Sequence, residues 1–61
     1  MSATKAMSAW LKTSTAEQRA AKRNDLQAVL ATERNPMRRD SLQQRIRMID
    51  AYDLRLARPS A

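Results

Sequence analysis

The chain is predicted to be all-α, on three observations. Eleven of its 61 residues are alanine, the strongest helix former. Its apolar residues recur at intervals of three and four, the spacing that lines one face of a helix. Two punctuation marks, Ser14-Thr15 and Asn35-Pro36, divide it into helix-length pieces without any glycine. The expected architecture is an antiparallel two-helix hairpin preceded by a short amphipathic N-terminal helix. Residues 1–61 form a single small helical domain.

The first element is a short helix over 3–12. Ala3, Ala6, Met7, Trp10 and Leu11 fall on one face, with Lys5 and Lys12 opposite. About eleven residues are marginally helical alone, so context must fold them. Two roles are open to this segment. It is either a flap whose tryptophan covers the end of the hairpin core, or a detachable anchor that inserts Trp10 into a partner groove or a lipid surface.

Ser14-Thr15-Ala16-Glu17 matches a capping box, in which the Ser14 hydroxyl accepts from the Glu17 N–H and the Glu17 carboxylate reaches back. It starts a long helix over 15–33. Pro36 suits a first helical position, Asn35 caps it, and the proline also drives Asn35 out of the helical conformation. A second long helix over 36–57 follows, and Pro59 ends it, leaving 58–61 as a frayed tail. So short a connection makes the long helices antiparallel neighbours.

At about 100° per residue, Leu42, Ile46, Ile49, Tyr52 and Leu56 share one face of the last helix, with Asp53 in their midst and Leu54 opposite. The middle helix is less regular. Leu26, Val29 and Leu30 make an apolar patch in its second half, while Arg19 and Arg23 flank its alanine-rich first half. The apolar seam is therefore expected to be strong near the turn and polar at the open end. There Arg19 lies roughly opposite Asp50 and Asp53, so Asp53 is either a cross-helix partner of Arg19 or a contact for another molecule.

Size limits what such a fold can do alone. A chain this short buries only about 60% of the surface its unfolded form exposes, and without Cys or His it has no disulfide or structural zinc to help. Leu, Ile and Val total nine. A homodimer with a four-helix-bundle-like core is the expected way to cover the apolar faces.

The same absences narrow the chemistry. Without His or Cys there is no triad, thiolate or imidazole base, and no Cys/His zinc site. Without glycine there is no phosphate-cradling loop. Asp50 and Asp53, at i and i+3, sit among arginines that hold carboxylates ionised. The reading is a non-enzyme with no cofactor and no small-molecule substrate.

What remains is charge, twelve Lys and Arg against six acids for a net +6. Arg19, Lys22 and Arg23 cluster on the middle helix; Arg34, Arg38 and Arg39 crowd the turn; Arg45 follows. Arg19 and Arg23 repel at i,i+4, and Arg38 and Arg39 sit at the positive end of a helix dipole. An anionic partner would relieve both strains, although a solvated, solubilising face is the simpler account of a charge run. Arginine outnumbers lysine nine to three, which suits bidentate pairing with phosphate or carboxylate.

Two functions fit. In the first, a regulatory protein lays Arg19, Lys22, Arg23, Arg34, Arg38, Arg39 and Arg45 on the phosphates of RNA or DNA, with little sequence specificity. In the second, an inhibitor or adaptor docks on an acidic surface of another protein, with Met7, Trp10 and Leu54 as its apolar anchors and Met37 and Met48 in support. In outline the hairpin is similar to the small dimeric helical-hairpin regulators of plasmids and phages, some of which bind RNA and others a host protein. That likeness is one of shape and carries no residues across. Membrane association is not expected, since no apolar run reaches the ~18 residues that span a bilayer. The N-terminus lacks the apolar core of a secretory signal, and the cytoplasm is the expected compartment.

Overall fold

The computed structural model describes residues 3–58, with the side chains of Ala3 and Thr4 outside the description. Three α-helices follow in order: α1 (Ala3–Thr13), α2 (Ala16–Thr32) and α3 (Pro36–Ala57). No strand occurs among the described residues. Each helix begins and ends within a residue of where the sequence places it. The frayed tail expected at 58–61 lies outside the description except for Arg58. That residue caps α3, its N–H donating to the carbonyls of Leu54 (3.1 Å) and Arg55 (3.4 Å).

The helix starts show how the chain dispenses with glycine. Thr15, not Ser14, is the N-cap of α2. Its hydroxyl accepts from Gln18 N–H (3.1 Å) while Gln18 Oε1 accepts from Thr15 N–H (2.9 Å). The box expected at Ser14 and Glu17 is therefore one residue late. Ser14 serves the preceding helix instead, its hydroxyl donating to the Leu11 carbonyl (2.9 Å), with Thr13 donating to Trp10 O (3.1 Å). Both fill orphan acceptors at the end of α1. At the second turn Asn35 caps α3 as expected, its Oδ1 accepting from Met37 N–H (2.9 Å) and Arg38 N–H (3.4 Å), with Pro36 at the first helical position. No described residue adopts a positive φ, so L-residues meet every turn without strain.

Packing joins the three helices in one core. Met7 and Leu11 of α1, Leu26 of α2, and Ile46 and Ile49 of α3 are buried. Ile49, at 0% exposure, is the centre. Trp10, Leu30, Leu42, Met48 and Tyr52 pack around this cluster half-buried. α2 and α3 form the antiparallel hairpin, and α1 packs chiefly on α3.

The expected stripe on α3 holds at Leu42, Ile46, Ile49 and Tyr52 but not at Leu56, which is 59% exposed. With Asp53 paired against Arg19, Leu56 lies one turn further on, level with the first residue of α2, where little of the neighbouring helix is left to cover it. The seam is also tightest at mid-hairpin rather than near the turn. Val29 is 50% exposed and Leu30 and Leu42 are half-buried, whereas the described side chains of α1 pack over the middle and the open end of the hairpin.

The open end is polar, as expected, and closes on one residue. Arg19 is buried, 6% exposed, yet none of its buried polar atoms lacks a partner. Its Nε donates to Asp53 Oδ1 at 2.6 Å, its Nη1 to the Ser14 carbonyl at 2.7 Å, and its guanidinium lies 5.2 Å from the Tyr52 ring centroid. One side chain thus ties α2 to α3 and to the α1–α2 connection.

Candidate binding groove

Seven basic residues are candidates from the sequence, and the fold sorts them by what they already hold. Arg19 is spent in the clasp just described. Arg23, one turn on, pairs with Asp50 through two bonds, Nε to Oδ1 at 2.6 Å and Nη2 to Oδ2 at 3.1 Å. The hydrogen bond first, and the Asp50 charge second, push its pKa above the ordinary arginine value. The repulsion between Arg19 and Arg23 is thus answered by two aspartates of α3.

Arg39 is answered differently. The turn brings its guanidinium to the C-terminal end of α2, where Nη1 donates to the carbonyls of Leu30 and Glu33, both at 3.0 Å. Poorly placed at the positive end of α3, it is well placed at the negative end of α2. An external anion is not required for these three.

Lys22, Arg34, Arg38 and Arg45 hold no ion pair or side-chain hydrogen bond among the described residues. Three of them converge. An open cleft of about 310 Å³ is lined by Ala6, Met7, Trp10, Lys22 and Arg45. A second, of about 240 Å³, is lined by Val29, Glu33, Arg38, Ser41, Leu42 and Arg45. Arg45 belongs to both, so the two are stretches of one groove along the α2–α3 seam. Its apolar lining is Ala6, Met7, Trp10, Val29 and Leu42. Its only acidic lining residue is Glu33, whose Oε1 already accepts from the Asn35 N–H (3.1 Å). Arg34 stands exposed at the turn nearby.

The three apolar anchors separate. Met7 is buried in the core and also lines the cleft beside Trp10. Trp10 is half-buried, packed on the core by one side and facing the groove by the other. Leu54 is exposed at 63%, in a different depression with Ala51, Arg55 and Arg58 toward the C-terminal end of α3. Of the two supporting methionines, Met37 is 82% exposed at the turn and Met48 is packed against the core beneath α1. The groove's own apolar residues, Val29 and Leu42, count as core in a periodicity reading. Cover for Val29 depends on how the other helices are placed, which no local pattern in α2 records.

Among the described residues no helix is long and apolar enough to cross a membrane. Comparison with protein-family models, curated proteins and solved structures finds no match to this chain.

Proposed function

We propose that this protein is a non-enzymatic binding module that docks on an acidic surface of another protein through the α2–α3 groove. One observation carries the reading: two clefts that adjoin at Arg45 set Lys22, Arg38 and Arg45 beside the apolar side chains of Trp10, Val29 and Leu42, against a single lining acid, Glu33. An apolar centre rimmed by arginine is the make-up of a protein interface. The nucleic-acid reading draws less support, because Arg19, Arg23 and Arg39 are engaged within the chain. What is left to meet phosphates is short and interrupted by hydrophobic side chains.

The deciding experiment titrates the full chain with duplex DNA and structured RNA at two salt concentrations, beside capture of partners from nuclease-treated lysate. The reading predicts a protein partner that survives nuclease and is lost with an Arg38→Glu/Arg45→Glu variant. Micromolar nucleic-acid binding that collapses with salt, with no such partner, would overturn it.

A homodimer is a separate proposal, and its support has narrowed. α1 covers Leu26, Ile46 and Ile49 within one chain, leaving chiefly Val29, Met37, Leu54 and Leu56 for a second copy to cover. Sedimentation at low micromolar concentration decides it.

A further inference from the structure

The cleft beside α1 has a composition of its own. About 310 Å³ in volume, it is lined by one cation from each long helix, Lys22 and Arg45, and by Ala6, Met7 and Trp10 of α1. Ala6 and Trp10, at i and i+4, lie one above the other on α1, with Met7 beside them. The indole and the thioether are the largest apolar groups of this floor. Neither cation is met from within the chain. Asp25, one turn on from Lys22, forms no ion pair with it, and Asp50 is held by Arg23.

The hairpin register sets the spacing of the two cations. Arg19 against Asp53 and Arg23 against Asp50 put Arg45 level with Gln27 and Ala28 of α2. Lys22 lies about 8 Å along the axis from that level, at 1.5 Å per residue. α1 runs in the same sense as α3, since Ser8 and Leu11 line a cleft with Met48, Ala51 and Tyr52 while Ser14 touches Arg19. Met7 therefore lies toward the Arg45 end of the interval and Trp10 toward the Lys22 end.

We infer that this cleft takes one aromatic side chain of the acidic partner, with a partner carboxylate on either side of the ring. The inference rests on the acidic-partner reading and specifies its anchor. Lys22 and Arg45 would meet the carboxylates, and the ring would lie between them on Trp10 and Met7. A ring suits this floor better than an aliphatic side chain. It stacks on an indole and makes a favourable sulfur contact with a thioether. A free small molecule is not the occupant, because sites for such ligands cover most of the ligand's surface and this cleft is open. The rest of the binding has to come from a chain that continues to Arg38 and Val29 in the adjoining cleft. Nor is the occupant a second copy. The chain has two rings, Trp10 and Tyr52, and both pack on its own core.

The test uses the full chain, isotopically labelled, and three short peptides. The first has a central Phe flanked by Glu; the second has Ala in place of the Phe; the third keeps the Phe and carries Gln in place of Glu. The first is expected to bind at least about tenfold more tightly than either of the others, a difference of about 1.4 kcal/mol. It should change the emission of Trp10, the sole tryptophan, and shift the signals of Ala6, Lys22 and Arg45. Lys22→Glu should cost about tenfold in that affinity and Arg45→Gln somewhat less. Both should leave the circular-dichroism melt unchanged, since neither side chain holds a partner in the fold.

Equal binding of the Phe and Ala peptides would remove the aromatic anchor and leave the acidic-partner reading standing. Shifts confined to Val29, Arg38 and Leu42 would move the ring to the adjoining cleft and overturn the assignment, again without touching the broader reading. Undiminished binding of the Gln peptide would mean that charge plays no part, and would count against both. If no peptide binds at millimolar concentration the anchor is refuted, and the nuclease-resistant capture decides the broader reading by itself.

Discussion

Arg19 shows what a residue-level reading can and cannot reach. Its pairing with Asp53, 34 positions away, is legible because an antiparallel hairpin with a known turn fixes which residues face each other. The Ser14 carbonyl and the Tyr52 ring are not legible, since both depend on the path of the connection between α1 and α2. With Arg19 buried and Asp53 half-exposed, removing one partner is worse than removing both. Asp53→Leu should destabilise the protein by about 2 kcal/mol, because it leaves a buried guanidinium with only the Ser14 oxygens to meet it. The double variant Arg19→Met/Asp53→Leu should recover most of that loss. Urea denaturation of the four proteins measures the coupling. A stabilising Asp53→Leu single variant would show that Asp53 is held for something other than the fold. Arg23 and Asp50, out in solvent, should show far less coupling in the same cycle.

At the level of elements, the helix boundaries were the most legible feature and the caps nearly so. Residues 14–17 and 15–18 both satisfy the capping-box pattern, as Ser-x-x-Glu and as Thr-x-x-Gln. The pattern cannot choose between them. The choice is made by α1, whose last carbonyls lie within reach of Ser14 and claim its hydroxyl. Thr15→Ala should therefore cost about 1 kcal/mol and Ser14→Ala clearly less, the reverse of what a box at Ser14 requires. Thermal melts of the two variants are the check. Leu56 and Val29 fail as core residues for a related reason: periodicity marks a face, and the neighbouring helix sets how far along that face cover extends. Arg39 is the matching case among the charges. Its position at the start of α3 reads as a strain until the turn lays the end of α2 beside it.

For the whole molecule, the largest departure from the sequence reading is the part played by α1. A two-helix hairpin looks short of cover, and a second chain is the obvious source. Met7 and Leu11 supply that cover from within, and the unengaged cations Lys22 and Arg45 lie beside α1, with Arg38 nearer the turn. The candidate site was thus half legible. The turn-end arginines Arg38 and Arg45 could be picked out by charge. Which arginines were already engaged, and that Val29 joined the free ones, required three helices to be placed against each other.

The Arg19 clasp also bears on how the molecule comes apart. Because one guanidinium holds both the α1 connection and the last turns of α3, peeling α1 away and parting the hairpin cannot proceed separately from that end. Loss of the three-helix core should be a single event. Fluorescence of Trp10, the sole tryptophan, and far-ultraviolet circular dichroism should therefore trace superimposable urea curves in the wild type. In Arg19→Met the two should part, with the Trp10 signal changing at the lower concentration as α1 leaves a hairpin that still stands. Coincident curves in that variant would mean that the buried apolar contacts of Met7 and Leu11 alone make the molecule unfold as one.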